Sequence, residues 1–312
     1  RNGIPSHDTL RRIFARLESQ VLQRCFLSWI QAVSVATEGQ VIAVDGKTLR
    51  QSYRKGERQS KGALHMIAAW AAESGLVLGQ RQSDGKSNEI ESIPKLLEML
   101  SLRGCIVTLD AMGCQKTIAA QIRDQGGDYM LALKGNHGTL YQDVVDYFEY
   151  AQTHKPETLC QETTVEKGHG RVETRHYQVC GELDWLESRE QWQDLTCLVK
   201  VESQRWMAGE SSTEQRYYLS SLAADAQRCA HAIRSHWSIE NQLHYVLDVT
   251  FREDDSRIRE GHAAQNMAII RRMAMNALKQ EPTSMSMRKK RFKASMNTDF
   301  LEQIITTGLL VR

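Results

Sequence analysis

The chain has 312 residues, with 40 lysines and arginines against 38 aspartates and glutamates. The formal net charge of +2 excludes a uniformly basic nucleic-acid binder, so any such contact must rest on local clusters. A hydrophobic content of 41% and a charged content of 25% are those of a globular protein that buries one large core or two modest ones.

Seven cysteines in no regular framework read as reduced thiols of a cytoplasmic protein. Cys105 and Cys114 lack the CxxC partners that a metal knuckle needs. No apolar run is long enough to span a bilayer, so no membrane partner is expected. The chain opens on Arg1 in mid-pattern, and a preceding N-terminal region is expected.

Ser6 or Asp8 can cap a helix carrying Leu10, Ile13, Phe14 and Leu17, and Val21, Leu22, Phe26, Trp29 and Ile30 continue an apolar face to about Val35. Val41-Ile42-Ala43-Val44 then runs into Asp45 and Gly46, the pattern of a buried strand, Gln40–Asp45, that delivers one carboxylate to a sheet edge. Gly46 is expected to turn the chain off the strand. A basic loop follows through Lys61, and then two strands, Ala63–Trp70 and Leu76–Ser83, form a hairpin at Glu73-Ser74-Gly75. Ser87-Asn88-Glu89 starts a helix with the stripe Ile90, Ile93, Leu96, Leu97 and Leu100. A second apolar strand, Cys105–Asp110, again ends in an aspartate. A helix over Thr117–Asp124 and a strand over Asp128–Leu133, ending in Lys134-Gly135-Asn136, complete a β-β-β-α-β-α-β order. That order implies a mixed sheet with flanking helices.

From about residue 157 to 221 the pattern turns β-rich, with strands over Thr163–Glu166, Val172–Val179, Thr196–Glu202 and Arg216–Leu219. Helical patterning resumes near Ala224 and again over Ala263–Leu278. The cluster from Arg288 to Lys293 is a candidate DNA contact. Five segments follow: a helical remnant of an N-terminal domain (1–38), a first core part (39–156), a β-rich insertion (157–221), a second core part (222–280) and a basic C-terminal segment (281–312).

Two strand-end aspartates suggest a shared site, and a third acid is expected on a late element. On a helix over His231–Val249, a 100° step puts Ile233, Trp237, Leu243 and Leu247 on one apolar face, and Glu240 projects inside that face between His236 and His244. An ionised glutamate aimed at a core is costly unless it is paired or binds metal. Asp254 and Asp255 lie in a polar stretch that reads as a solvated turn. Converging carboxylates repel until cations relieve them, and hard oxygen ligands suit magnesium or manganese. Asp45, Asp110 and Glu240 are therefore the candidate ligands of two Mg2+ ions, with Asp45 as the bridge and Mn2+ able to substitute.

The segments Val44–Arg50, Lys86–Ile90, Thr108–Lys116, Leu133–Asn136 and His236–Val249 resemble the ISAs-type DDE transposases, including the H-repeat-associated proteins found beside Rhs elements. The resemblance covers nearly the whole chain. It implies a ribonuclease H-like mixed sheet with flanking helices and a β-rich insertion before the last catalytic helix. It also implies metal-dependent cleavage of double-stranded DNA at element ends, strand transfer to target DNA, a homodimer or higher assembly on DNA, and association with the nucleoid. Asp45, Asp110 and Glu240 fall on the family's acids. Where the larger clan carries Tyr, Arg and Lys around its glutamate, this chain has Ile233, His236 and Leu247, which departs from the hairpin-forming pattern. Candidate DNA contacts are Lys47, Arg50, Lys134, Asn136, Arg171, His236, Asn241 and His244, and Trp206 is a candidate for stacking on a base. Two competing readings are a non-catalytic DNA-binding or regulatory relative and a small-substrate metallohydrolase built on His236, Glu240 and His244.

Overall fold

The computed structural model describes residues 3–33, 39–53, 62–83, 85, 88–168, 170–207 and 209–308. Most of the expected basic loop (Arg54 to Lys61), Lys86 and Ser87 of the Lys86–Ile90 motif, His169 and the expected helix end at Val35 lie outside them. In chain order the elements are α1 (His7–Arg16), α2 (Ser19–Val33), β1 (Val41–Thr48), β2 (His65–Ala71), β3 (Leu76–Ser83), α3 (Glu89–Leu97), β4 (Ile106–Leu109), α4 (Lys116–Asp124), β5 (Asp128–Leu133) and α5 (Gly138–His154). Then come β6 (Leu159–Gly168), β7 (Arg171–Cys180), β8 (Cys197–Met207), β9 (Glu210–Ser220), α6 (Ala226–His236), a π-helical segment (Ile239–His244), α7 (Tyr245–Val249), α8 (Ala263–Gln280), α9 (Met287–Met296) and α10 (Thr298–Gly308). They form a mixed α/β protein in two compact units.

One unit comprises Arg1–Thr37, Val44–Ser101 and Ser238–Arg312. Its strands run in the order β3-β2-β1. β2 and β3 form the expected antiparallel hairpin, with a register irregularity between Ala69 and Trp70. Every residue of β2 is buried. The Trp70 indole donates to the Ser238 hydroxyl at 2.9 Å, which satisfies a polar group that burial would otherwise strand. The Asn276 side chain on α8 accepts from Val77 N–H and donates to Val77 C=O, both at 2.9 Å, and so supplies β3 with the pairing a further strand would give. Near the start of α8's second half, Arg272 meets Glu253 at 2.8 Å with both side chains 0% exposed.

The other unit comprises Glu38–Ala43 and Leu102–Trp237. It is dominated by the order β4-β5-β9-β8-β7-β6. β4 and β5 are parallel, and every later pairing is antiparallel. The four β-like stretches read in the sequence thus become four strands of ten or eleven residues that continue this sheet from β5 through β9. Gly170 (φ +73°) and Gly209 (φ +89°) take the left-handed conformation at the two hairpin ends, where other residues are resisted. A chain of alternating charges crosses the strands: Arg234 on α6 grips Glu166 with two bonds of 2.6 and 2.9 Å, and Arg175 joins Glu166 to Glu173.

Four local expectations change. The helical lead-in breaks at Leu17, whose extended backbone (ψ 122°) separates α1 from α2. Ser6, not Asp8, caps α1, and none of that helix's residues is buried. β1 does not end at Asp45; it continues through Gly46 and Lys47 to Thr48. Around Glu240 the helix is not regular: α6 stops at His236 and a π-helical segment follows, so a uniform 100° step misplaces side chains there. Glu240 is exposed rather than aimed at the core, and Trp237 is 38% exposed, with the Arg216 guanidinium 4.7 Å from its ring centre.

Part of the basic stretch from Arg288 to Lys293 is engaged within its own unit. Lys290 is buried against Glu281 at 3.1 Å, Arg291 donates to the Thr250 carbonyl, and Lys293 lies over the Phe300 ring. Among the described residues no helix is long and apolar enough to cross a membrane.

The Glu253–Arg272 pair generates a stability prediction. Removing one partner of a fully buried pair strands the other charge, at about 3–5 kcal/mol. Arg272→Ala is therefore expected to lower the unfolding free energy measured in urea by that amount, whereas Glu253→Leu with Arg272→Met is expected to restore most of it. Equal losses in the single and double variants would show that the pair's charges are not the cause.

Candidate active site

β1 carries Asp45 and Lys47 two residues apart, hence on one face of the strand. The Asp45 carboxylate accepts the N–H of Gly46 at 2.8 Å, which bends it back along its own backbone. The π-helical segment carries Glu240 and His244. His244 Nδ1 lies 3.3 Å from Glu240 Oε2 and 3.7 Å from Asp45 Oδ2. Asp45, Glu240 and His244 each present a ligand atom, all within 4.8 Å of one another. His244 is 6% exposed on its side chain, against 18% for Asp45 and 53% for Glu240. The His244 ring N–H bonded to Glu240 holds that carboxyl below the usual glutamate range, with burial acting in the opposite sense.

This donor set fits a divalent cation. Two carboxylates supply hard oxygens, and the imidazole adds a nitrogen that manganese accepts more readily than magnesium does. His244 Nδ1 is the ring nitrogen that faces the two acids, and Nε2, on the other edge of the ring, is buried without a hydrogen-bond partner. His236 is not among the three residues of this group.

Lys47 does not face solvent beside Asp45. Its ammonium is buried between Asp248 Oδ2 at 2.7 Å and Asp254 Oδ1 at 3.2 Å, and Arg50 takes the other oxygen of Asp254 at 3.2 Å. The expected turn is present and Asp255 is exposed in it, but Asp254 faces inward as a partner of β1. The pairs join β1 to α7 and the segment after it.

Asp110 stands where the sequence put it, immediately after β4. Its carboxylate accepts the N–H of Met112 at 3.0 Å and of Gly113 at 3.4 Å, which closes the turn into α4. Burial, with the Asp110 charge added, pushes the Cys114 thiol up to about 12. Two of the residues first considered for DNA brace this corner. The Asn136 side chain donates to the Ala111 carbonyl at 3.0 Å, and His236 Nδ1 lies 2.9 Å from the Thr108 hydroxyl on β4. Lys134, Arg171 and Asn241 are exposed, and Trp206 is 54% exposed near the end of β8.

Sequence reasoning placed His244 beside Glu240 but missed its approach to Asp45, and missed Asp248 and Asp254 as partners of Lys47. The one available signal was spacing: His244 and Asp248 follow Glu240 at four-residue intervals, which keeps them on one side of a helix.

The profile of the transposase DDE domain family matches residues 36–277. The chain belongs to this family. It is 41% identical over 98% of its length to YncI of Escherichia coli O157:H7, a protein carrying a transposase name, and spans 79% of that chain. It is likewise 41% identical over 97% of its length to YhhI of Escherichia coli strain K12, named as an H repeat-associated transposase, and spans 81% of it. The resemblance read in the sequence to the H-repeat-associated proteins is therefore correct. Against the cryo-EM structure of the piggyBac transposase synaptic complex with hairpin DNA the TM-score is 0.48 at 10% identity, covering 97% of this chain and 61% of that one.

The lowered Glu240 carboxyl has a direct test. Its ionised form contributes stability above the unfolded-state value, and that contribution is lost as pH falls through the lower folded-state value. A carbon-13 titration of metal-free protein is expected to find Glu240 below the ordinary glutamate range, and higher in His244→Ala. An unchanged titration in that variant would remove His244 as the cause.

Proposed function

We propose that this protein cleaves double-stranded DNA at the ends of a mobile element and joins the freed 3′ ends to target DNA, as a DDE transposase working through two divalent cations. One observation carries the proposal: Asp45 and Glu240, far apart in sequence, present ligand atoms to one point together with His244. Asp110 is the third proposed carboxylate, on the strength of the strand-end motif it shares with Asp45. The β-β-β-α-β-α-β order supports a ribonuclease H-like core, with residues 157–221 read as an insertion.

Within this reading, Asp45, Asp110 and Glu240 hold the cations, and His244 is a further ligand or a support for both neighbouring acids. Cations bound there would stabilise the attacking and leaving oxygens of an in-line displacement at phosphorus. The Lys47–Asp248 pair keeps the strand of Asp45 and the segment of Glu240 in fixed relation, so that the carboxylates need little rearrangement when they take up cations. Lys134, Arg171, Asn241 and Trp206, all exposed, are left for the DNA backbone and bases, and their contacts would weaken with salt.

Asp45→Ala, Asp110→Ala and Glu240→Ala are each expected to abolish cleavage of element-end DNA in Mg2+ or Mn2+ while leaving DNA affinity within about threefold, an order-of-magnitude allowance for acids that do not themselves grip phosphate. Cleavage by Glu240→Ala at the wild-type rate would sink the assignment. Wild-type protein that binds the ends and never cuts them would favour the non-catalytic reading.

A further inference from the structure

Glu89 belongs to the Lys86–Ile90 motif, which the proposed chemistry leaves unused. It is buried at the start of α3, and its Oε1 lies 2.6 Å from His65 Nε2 on β2. His65 is buried too, and its other nitrogen, Nδ1, lies 2.8 Å from the Thr48 hydroxyl on β1. One arrangement satisfies every atom: the Thr48 O–H donates to Nδ1, and Nε2–H donates to the Glu89 carboxylate.

This chain of three presses on one residue. A side chain at Gly46 would place its Cβ 2.5 Å from His65 Nε2 and 2.6 Å from Glu89 Oε1. Gly46 is therefore glycine because the pair occupies the space where its side chain would be. Its φ is not in the left-handed region, so conformational freedom is not the reason. Alternation along β1 puts Gly46 and Thr48 on one face and Asp45 and Lys47 on the other. The face opposite the carboxylate is thus fixed twice, by contact at 46 and by a hydrogen bond at 48, while Gly46 N–H holds the Asp45 carboxylate itself. A buried polar pair is a poor way to stabilise a core, since apolar residues of similar volume do as well or better. It does set a backbone position sharply, because its bonds tolerate little change in length or direction.

From this we infer that His65 and Glu89, acting with Thr48, are positioning residues for the Asp45 carboxylate. The inference rests on the proposed metal-dependent cleavage and adds to it a support on the reverse face of the strand. None of the three touches DNA or the cations; they act through the Gly46 backbone.

The test uses the full chain, Mn2+ alone as the first probe and element-end DNA as the second. Glu89→Ala is expected to weaken Mn2+ binding, read by electron paramagnetic resonance, about tenfold, the scale seen when outer supports of metal ligands are removed. It is expected to lower kcat for cleavage by a similar factor with KM for DNA unchanged. Glu89→Gln, which keeps an oxygen to accept from His65, is expected to recover most of both. A lowered melting temperature with wild-type Mn2+ affinity and kcat would overturn the inference, because a merely structural pair would behave that way. If Glu89→Ala does not fold, Thr48→Val at an exposed position carries the test: a smaller loss of Mn2+ affinity and kcat supports the inference, and wild-type values overturn it. Wild-type protein that neither binds Mn2+ nor cuts DNA would defeat the function proposed above. An active wild type with indistinguishable variants would defeat only the positioning role.

Discussion

The ammonium of Lys47 is the centre of the acidic region. Asp45, Glu240, Asp248 and Asp254 are brought together by folding, and carboxylates so gathered repel unless cations lie among them. Lys47 meets that constraint for two of the four, bonding Asp248 and Asp254 from a site 9% exposed. His244, bonded to Glu240 and close to Asp45, addresses the other two. The division leaves one pair of acids balanced by the protein's own charge and the other pair balanced only in part. The second pair presents its ligand atoms together with His244.

The surroundings are built to hold this arrangement still. Glu253, one residue before Asp254, is tied to Arg272 in a bond that solvent does not reach, so the segment supplying Asp254 is fixed from behind. β3 is closed off by Asn276, and β2 is buried along its whole length. In the other unit the same principle operates with different groups. Asp110 folds onto the amides of its own turn, Asn136 holds the Ala111 carbonyl beside it, and His236 meets the Thr108 hydroxyl on β4. The acids proposed as cation ligands are held here by neighbouring amides and by the His244 ring.

Much of this was legible in the residues because the relevant signals are local. β1, the β2–β3 hairpin, β4 with Asp110 after it, and the four strands from β6 to β9 all follow from alternation, β-branched runs and turn residues. Asp45 stood out because it interrupts an apolar run, and Glu240 because it interrupts an apolar helix face. The reason given for Glu240 was nevertheless wrong in detail: a π-helical segment changes the angular step, and the side chain emerges toward solvent. The pairing of Lys47 with Asp248, and of His65 with Glu89, could not be read, since each joins residues far apart in sequence. Gly46 shows the difference most clearly. Its presence was noticed and its cause was misassigned, because a close approach from β2 and α3 leaves no trace in the neighbouring residues.

The two faces of β1 also bear on how the strand finds its place during folding. Pairing out of step by one residue would exchange its faces. Asp45 and Lys47 would then be driven onto the space filled by His65 and Glu89, which a bare glycine backbone already occupies to contact. Gly46 and Thr48 would be left opposite Asp248 and Asp254 with no charge to offer. Hydrophobic residues alone would tolerate that error in Val41–Val44, where both faces are apolar. The alternation of charge and smallness over the next four residues penalises it, so the residues proposed for chemistry also act as the strand's register mark.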